Sequence, residues 1–176
     1  MRKQSTKKMV SGGLLLALGM VLPFFTGQIP SIGSRLLPMH IPALLTGYIC
    51  GPAYGLLIGF VMPIFRSIIF GMPPMYPIAI AMAFELSVYG LVAGLLYKVF
   101  PKKAIYTYLS LVMAMIAGRI VWGFVSYILF GLGGSTFSLK IFISVGFINA
   151  LPGILIQLII IPPIVMLLRK GRVIND

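Results

Sequence analysis

The chain has 176 residues, of which 60% are apolar and 9% charged, and its mean hydropathy is +1.09. Soluble domains carry about 25% charged residues, so this composition cannot cover a core with polar surface. Apolar stretches of roughly twenty residues recur without period-two alternation, which excludes a β-barrel and leaves an all-α polytopic membrane bundle. The net charge of +12 does not point to nucleic acid, because the basic residues gather at the ends of apolar runs rather than along one groove-lining face.

Six spans are expected. The first, about residues 9–27, follows Arg2, Lys3, Lys7 and Lys8. It begins like a secretory leader, yet no small-x-small cleavage site follows its Pro23-Phe24-Phe25-Thr26-Gly27 end, so a retained span is expected. A polar loop, Gln28 to Arg35, leads to span 2 at about 36–50, short and interrupted by Pro38 and Pro42. Span 3 runs over about 53–71 between Gly51-Pro52 and Gly71-Met72-Pro73-Pro74, and span 4 over about 76–97. Span 5 covers about 104–130 and is followed by a Gly/Ser loop from Gly131 to Ser138. Span 6 covers about 140–168, with Pro152, Pro162 and Pro163 expected to kink or end helical segments. No internal repeat or soluble domain is visible, and residues 1–176 are expected to form one compact bundle.

Charge gives the orientation. With six spans the N-terminal cluster of four, the cluster Lys98, Lys102 and Lys103, and the cluster Arg169, Lys170 and Arg172 share one side, against Arg35 and Lys140 on the other. Basic residues mark the cytoplasmic side, so both termini are expected there. Spans 2 and 3 are the weakest pair, since a proline-broken hairpin could be re-entrant.

Three ionisable residues fall inside spans: Arg66, Glu85 and Arg119. Such groups are costly in hydrocarbon, and they pair or line an aqueous cavity. Counted from the outer ends of their spans, Glu85 lies ~14 Å deep, Arg119 ~18 Å and Arg66 ~8 Å, so all three can open onto one outward-facing cavity. Glu85 can neutralise only one arginine. The other is then a natural receptor for a small anion or one carboxylate, through its planar fork of donors. Asn149, near the middle of span 6, can read ligand hydroxyl or amide groups or bond another helix. His40 stands near the outer start of span 2; as the sole histidine it has no partners for a metal. Trp122 and Tyr89 can wall a pocket, as can Tyr76 and Tyr127, for which interfacial belt positions are the plainer reading. The single Cys50 excludes an internal disulfide and a Cys-based metal site. Neither clustered carboxylates nor a protease-like arrangement occurs, so no enzyme, metal or cofactor is expected.

In span 1, Gly13 and Ala17 stand four apart on one face, a small-xxx-small surface that lets another helix approach closely in lipid. Packing inside the same bundle would use it equally well.

Two stretches carry a family resemblance. One is Met39-His40-Ile41-Pro42-Ala43-Leu44-Leu45-Thr46-Gly47 with Gly51-Pro52-Ala53-Tyr54-Gly55-Leu56-Leu57-Ile58-Gly59. The other is Pro63-Ile64-Phe65-Arg66-Ser67 with Gly71-Met72-Pro73-Pro74-Met75-Tyr76-Pro77 and Phe84-Glu85-Leu86. Together they closely resemble the S components of energy-coupling factor (ECF) vitamin transporters, over nearly the whole chain. The resemblance implies a subunit that binds a vitamin or its precursor from outside, does not hydrolyse ATP, and joins a transmembrane T component and two ABC-type ATPases. It implies a partner contact at Gly13 and Ala17, where glycine replaces the first alanine of the family's Ala-xxx-Ala-like motif. Ligand contacts are implied in the outer loops and spans 4 to 6, where Glu85, Arg119, Trp122 and Asn149 fall, and a gate at Gln28 to Arg35. The arginines favour pantothenate among hydroxymethylpyrimidine, pyridoxine, riboflavin, folate and queuosine-type ligands. The readings outside this class are an autonomous carrier or channel for a small organic anion and a structural subunit without a ligand.

Overall fold

The computed structural model describes residues 2–26, 29–171 and 174, and among these every regular element is helical. Helix α1 (Arg2–Val21) tightens into a 3-10 turn at Leu22–Thr26. It is followed by α2 (Pro30–Leu36), α3 (His40–Cys50) and α4 (Pro52–Phe70). A kinked segment at Met75–Ala79, extended at Tyr76, leads into α5 (Ile80–Val99), and α6 (Ala104–Leu132) is the longest helix described. Helix α7 (Leu139–Ile143) widens into a π-turn at Ser144–Ile148 before α8 (Leu151–Lys170).

Five helical stretches are long and apolar enough to cross a membrane: 6–25, 52–70, 75–99, 104–132 and 151–170. Their outer faces carry large apolar side chains, such as Leu14, Ile68, Phe124 and Ile159, each about two-thirds exposed. That exterior fits a hydrocarbon solvent.

Two expected spans are corrected. The continuous span over 36–50 is instead α2, a turn and the 11-residue α3. At 1.5 Å per residue α3 reaches only ~16 Å, about half the hydrocarbon thickness. The turn places Leu37 in the left-handed region (φ 52°), where its N–H donates to the carbonyl of Gly33 and closes α2. The expected span over 140–168 is divided by the turn at Asn149 and Ala150, while Pro162 and Pro163 lie within an unbroken α8. Most of the expected polar gate is helix α2 from Pro30 onward, and Gln28 lies outside the described residues.

Helix directions follow from which residues meet. Gly12 faces Tyr54 and Ile58, and the Arg66 guanidinium donates to the Met20 carbonyl, so α1 and α4 run parallel. Gly55 and Gly59 meet Gly90 and Leu86, which makes α5 antiparallel to α4; Gly47 meets Gly90 and Gly94, so α3 follows α5. Gly51 lies beside Lys98, and Arg169 donates to the Lys102 carbonyl. The start of α1, the α3–α4 and α5–α6 turns and the end of α8 therefore share one end of the bundle, where the basic clusters also gather.

The most extensive interface joins α4 to α5, and missing side chains explain it. A Cβ on Gly47, Gly55, Gly59 or Gly90 would overlap backbone of the facing helix. These glycines form a seam in which three helices touch backbone to backbone, the soluble-lipid analogue of small-residue packing. Around it lie Leu44, Met62, Leu86, Leu111 and Ile161, all fully buried.

Candidate functional site

At the end opposite the basic clusters the helices part around a cavity of about 510 Å³, a size suited to a small organic molecule. Its floor is polar and its walls are apolar. Three elements supply the floor. Helix α5 contributes Glu85, α6 contributes Arg119, and the turn after α2 delivers His40 as the first residue of α3. Gly118 makes this meeting possible: a Cβ there would overlap the Tyr89 ring, so its absence lets α6 lie directly on α5 and brings Arg119 to the carboxylate.

Arg119 Nη1 stands 2.9 Å from Glu85 Oε1, and His40 Nε2 stands 3.4 Å from the same oxygen. Glu85 and His40 are 1% exposed and Arg119 4%, so solvent screens this cluster little. The charges of Glu85 and Arg119 cancel, which removes most of the cost of holding either alone in the membrane. Arg119 is not exhausted by this pair. Its Nε and Nη2, the two nitrogens along one edge of the guanidinium, have no hydrogen-bond partner. A free edge of this kind matches the two oxygens of a carboxylate.

Trp122, one turn beyond Arg119 on α6, forms part of the wall. It is fixed by Phe142, stacked at 6.1 Å, by Phe137, edge-on at 5.7 Å, and by the Arg119 guanidinium 5.8 Å from its ring. Methionines Met39 and Met82 and the segment Met72–Pro74 complete the apolar surround, while α2 contributes Ser31 and Gly33. Met72-Pro73 and Tyr76-Pro77 are cis peptide bonds.

The sequence-predicted residues separate into three groups. His40, Glu85, Arg119 and Trp122 come together at the floor and wall. Tyr89 lies behind them, one helical turn below Glu85, and its ring meets that of His40 edge-on at 5.3 Å without reaching the cavity. Asn149 is exposed in the turn before α8 and does not line the cavity. The break in span 6 moves it away from the buried position that a continuous helix would give.

Arg66 also lines the cavity, and one of its nitrogens, Nη1, is engaged by the protein. Its guanidinium lies 4.8 Å from the Phe24 ring and 5.2 Å from the Phe70 ring, and it donates to the Met20 carbonyl. It clamps the 3-10 turn of α1 to the end of α4. Arg66→Ala is therefore expected to lower stability by roughly 2–3 kcal/mol, the scale of a desolvated cation–π contact with a charged hydrogen bond. Thermal unfolding of purified protein checks this, and a variant as stable as the parent would contradict the clamp.

Ser126 was not singled out in the sequence, yet the residue lines the cavity and its buried hydroxyl has no hydrogen-bond partner. The spacing of residues 119, 122 and 126 on one helical face is the signal that identifies it.

These features define a class: a membrane-embedded helical bundle with a polar-floored ligand cavity at one end. The family model described as "ECF transporter, substrate-specific component" matches residues 7–165, and the chain belongs to that family. It is a family of transporter substrate-binding components, not of enzymes, and its members work in general with a T component and ATPases. No curated protein matches the chain, and no solved structure does.

Proposed function

We propose that this chain captures a vitamin or vitamin precursor carrying one carboxylate, with pantothenate the best fit, from outside the cell and delivers it for ATP-driven uptake. The observation that carries the reading is the unpartnered Nε–Nη2 edge of Arg119 at a buried cavity floor. Glu85 holds that guanidinium in place, His40 supports the carboxylate, and Trp122 covers the ligand's apolar body. Arg66 keeps α1 joined to α4 at the mouth, and Tyr89 backs the floor.

In this reading residues 1–176 form one substrate-binding unit that passes the prokaryotic cytoplasmic membrane six times, with α2 and α3 together as the second pass. Both termini are cytoplasmic. Helix directions alternate along the chain as six passes require, and the basic clusters sit at one end as the positive-inside rule requires. The partners are a transmembrane T component and two ABC-type ATPases. Gly13 and Ala17 support the docking assignment, because both are exposed and a Cβ on Gly13 would meet nothing within 4 Å. By contrast, Gly12 and Gly19 on the other face of α1 pack against Ile58 and Met62.

Proteoliposomes test the assignment. The chain alone should bind labelled pantothenate without moving it, and uptake should need the T component, the ATPases and ATP. Flux through the chain alone would instead establish an autonomous carrier. Gly13→Trp with Ala17→Trp should leave ligand affinity and stability unchanged and abolish assembly with the T component, checked by co-purification. Assembly at the parent level would place the docking face elsewhere.

A further inference from the structure

Three buried hydroxyls in these helices bond their own helix. Thr46 donates to the Pro42 carbonyl at 2.7 Å, Ser87 to Phe84 at 2.7 Å and Ser110 to Thr107 at 2.9 Å. Each thereby closes its polar group within its own helix. Ser126 is as deeply buried, at 1% exposure, but its oxygen has no partner, and the residue lines the cavity.

Its place on α6 gives the missing partner a position. Seven residues separate Ser126 from Arg119, two helical turns on the same face and ~10 Å along the axis. Trp122 lies between them and presents an apolar surface. The α6 wall thus reads, from the floor outward, as a carboxylate-sized donor edge, an aromatic surface and a single hydroxyl.

We propose that Ser126 forms a distal subsite of the cavity, hydrogen-bonded to a hydroxyl that the ligand carries about 10 Å from its carboxylate. This rests on the carboxylate-ligand reading above and adds to it a second recognition point. The site takes an elongated molecule: an acidic end at Arg119, an apolar or branched middle beside Trp122, and an alcohol at Ser126. Pantothenate has the two ends and a branched gem-dimethyl carbon between them, beside an amide and a secondary hydroxyl, with its terminal hydroxyl about 10 Å from the carboxylate when extended.

The test pairs two proteins with two ligands. Parent and Ser126→Ala are titrated with pantothenate and with the analogue in which its terminal hydroxyl alone is replaced by hydrogen. If Ser126 reads the distal alcohol, Ser126→Ala weakens pantothenate about fivefold to tenfold, the scale of one hydrogen bond, and leaves the analogue unchanged. Ligand-free Ser126→Ala should unfold at the parent's temperature or above it, since it loses a hydroxyl with no partner. Equal affinity of both proteins for pantothenate overturns the subsite while leaving the carboxylate reading intact. An equal loss for both ligands overturns it as well, because the serine would then act only on cavity shape. If the parent binds pantothenate no better than buffer, both readings fall together.

Discussion

Arg119→Ala should raise the Kd for pantothenate by at least about a hundredfold and lower stability by roughly 3–5 kcal/mol. Two causes act together. The ligand loses the unpartnered Nε–Nη2 edge at the cavity floor, and Glu85, 1% exposed, loses the charge that stands 2.9 Å from its Oε1. The second effect is not binding, so the two must be separated. Arg119→Met combined with Glu85→Gln removes both charges and leaves neither stranded, and replacing a buried ion pair in this way is often neutral or stabilising. The double variant should therefore regain most of the stability lost in Arg119→Ala while still failing to bind. Equilibrium titration and thermal unfolding check the two arms. Binding near the parent's affinity in the double variant would remove Arg119 from the ligand site.

Gly90→Val should prevent a stably folded bundle from forming. A Cβ at this position overlaps the Gly55 backbone, so α4 and α5 would have to move apart at the centre of the seam. Overpacking against flexible side chains costs typically 1–3 kcal/mol; against the backbone of the facing helix the cost should reach at least about 3 kcal/mol. Gly13→Ala is the matching control, since the space around Gly13 is open, and it should behave as the parent does. The readout is the monodisperse fraction recovered by size-exclusion chromatography in detergent. Full recovery of folded Gly90→Val would mean that the seam is not the structural core.

Much of this architecture was legible because hydrocarbon imposes it. Long apolar runs gave the boundaries of α4, α5 and α6 to within a few residues, and the basic clusters do share one end. Glu85 and Arg119 were legible as a pair because each is costly without a partner. What escaped the sequence was local geometry. Nothing in the residues from Pro38 to Pro42 announces that the helix begins at His40, at the level of Glu85 rather than at the membrane surface. That short helix turns a lone histidine into part of the cavity floor. Similarly, the π-turn at Ser144–Ile148 and the turn at Asn149 and Ala150 interrupt a run whose composition reads as continuous, and Asn149 is carried out of the site. Arg66 does line the cavity, but charge alone does not reveal that its guanidinium also packs on aromatic rings; Phe24 is over forty positions away. Ser126 was overlooked for the opposite reason. A serine in a span normally bonds its own helix, and only the absence of that bond marks it.

Ligand capture by this chain alone is the central claim, and thermal unfolding of the purified protein against a panel of vitamins tests it most directly. Pantothenate at 1,000 times its Kd should stabilise the bundle by about 4 kcal/mol, with a shift in midpoint that grows with ligand concentration. The Arg119→Met, Glu85→Gln variant should show no shift in the same panel. A flat response of the parent protein to every vitamin, pantothenate included, would contradict the account.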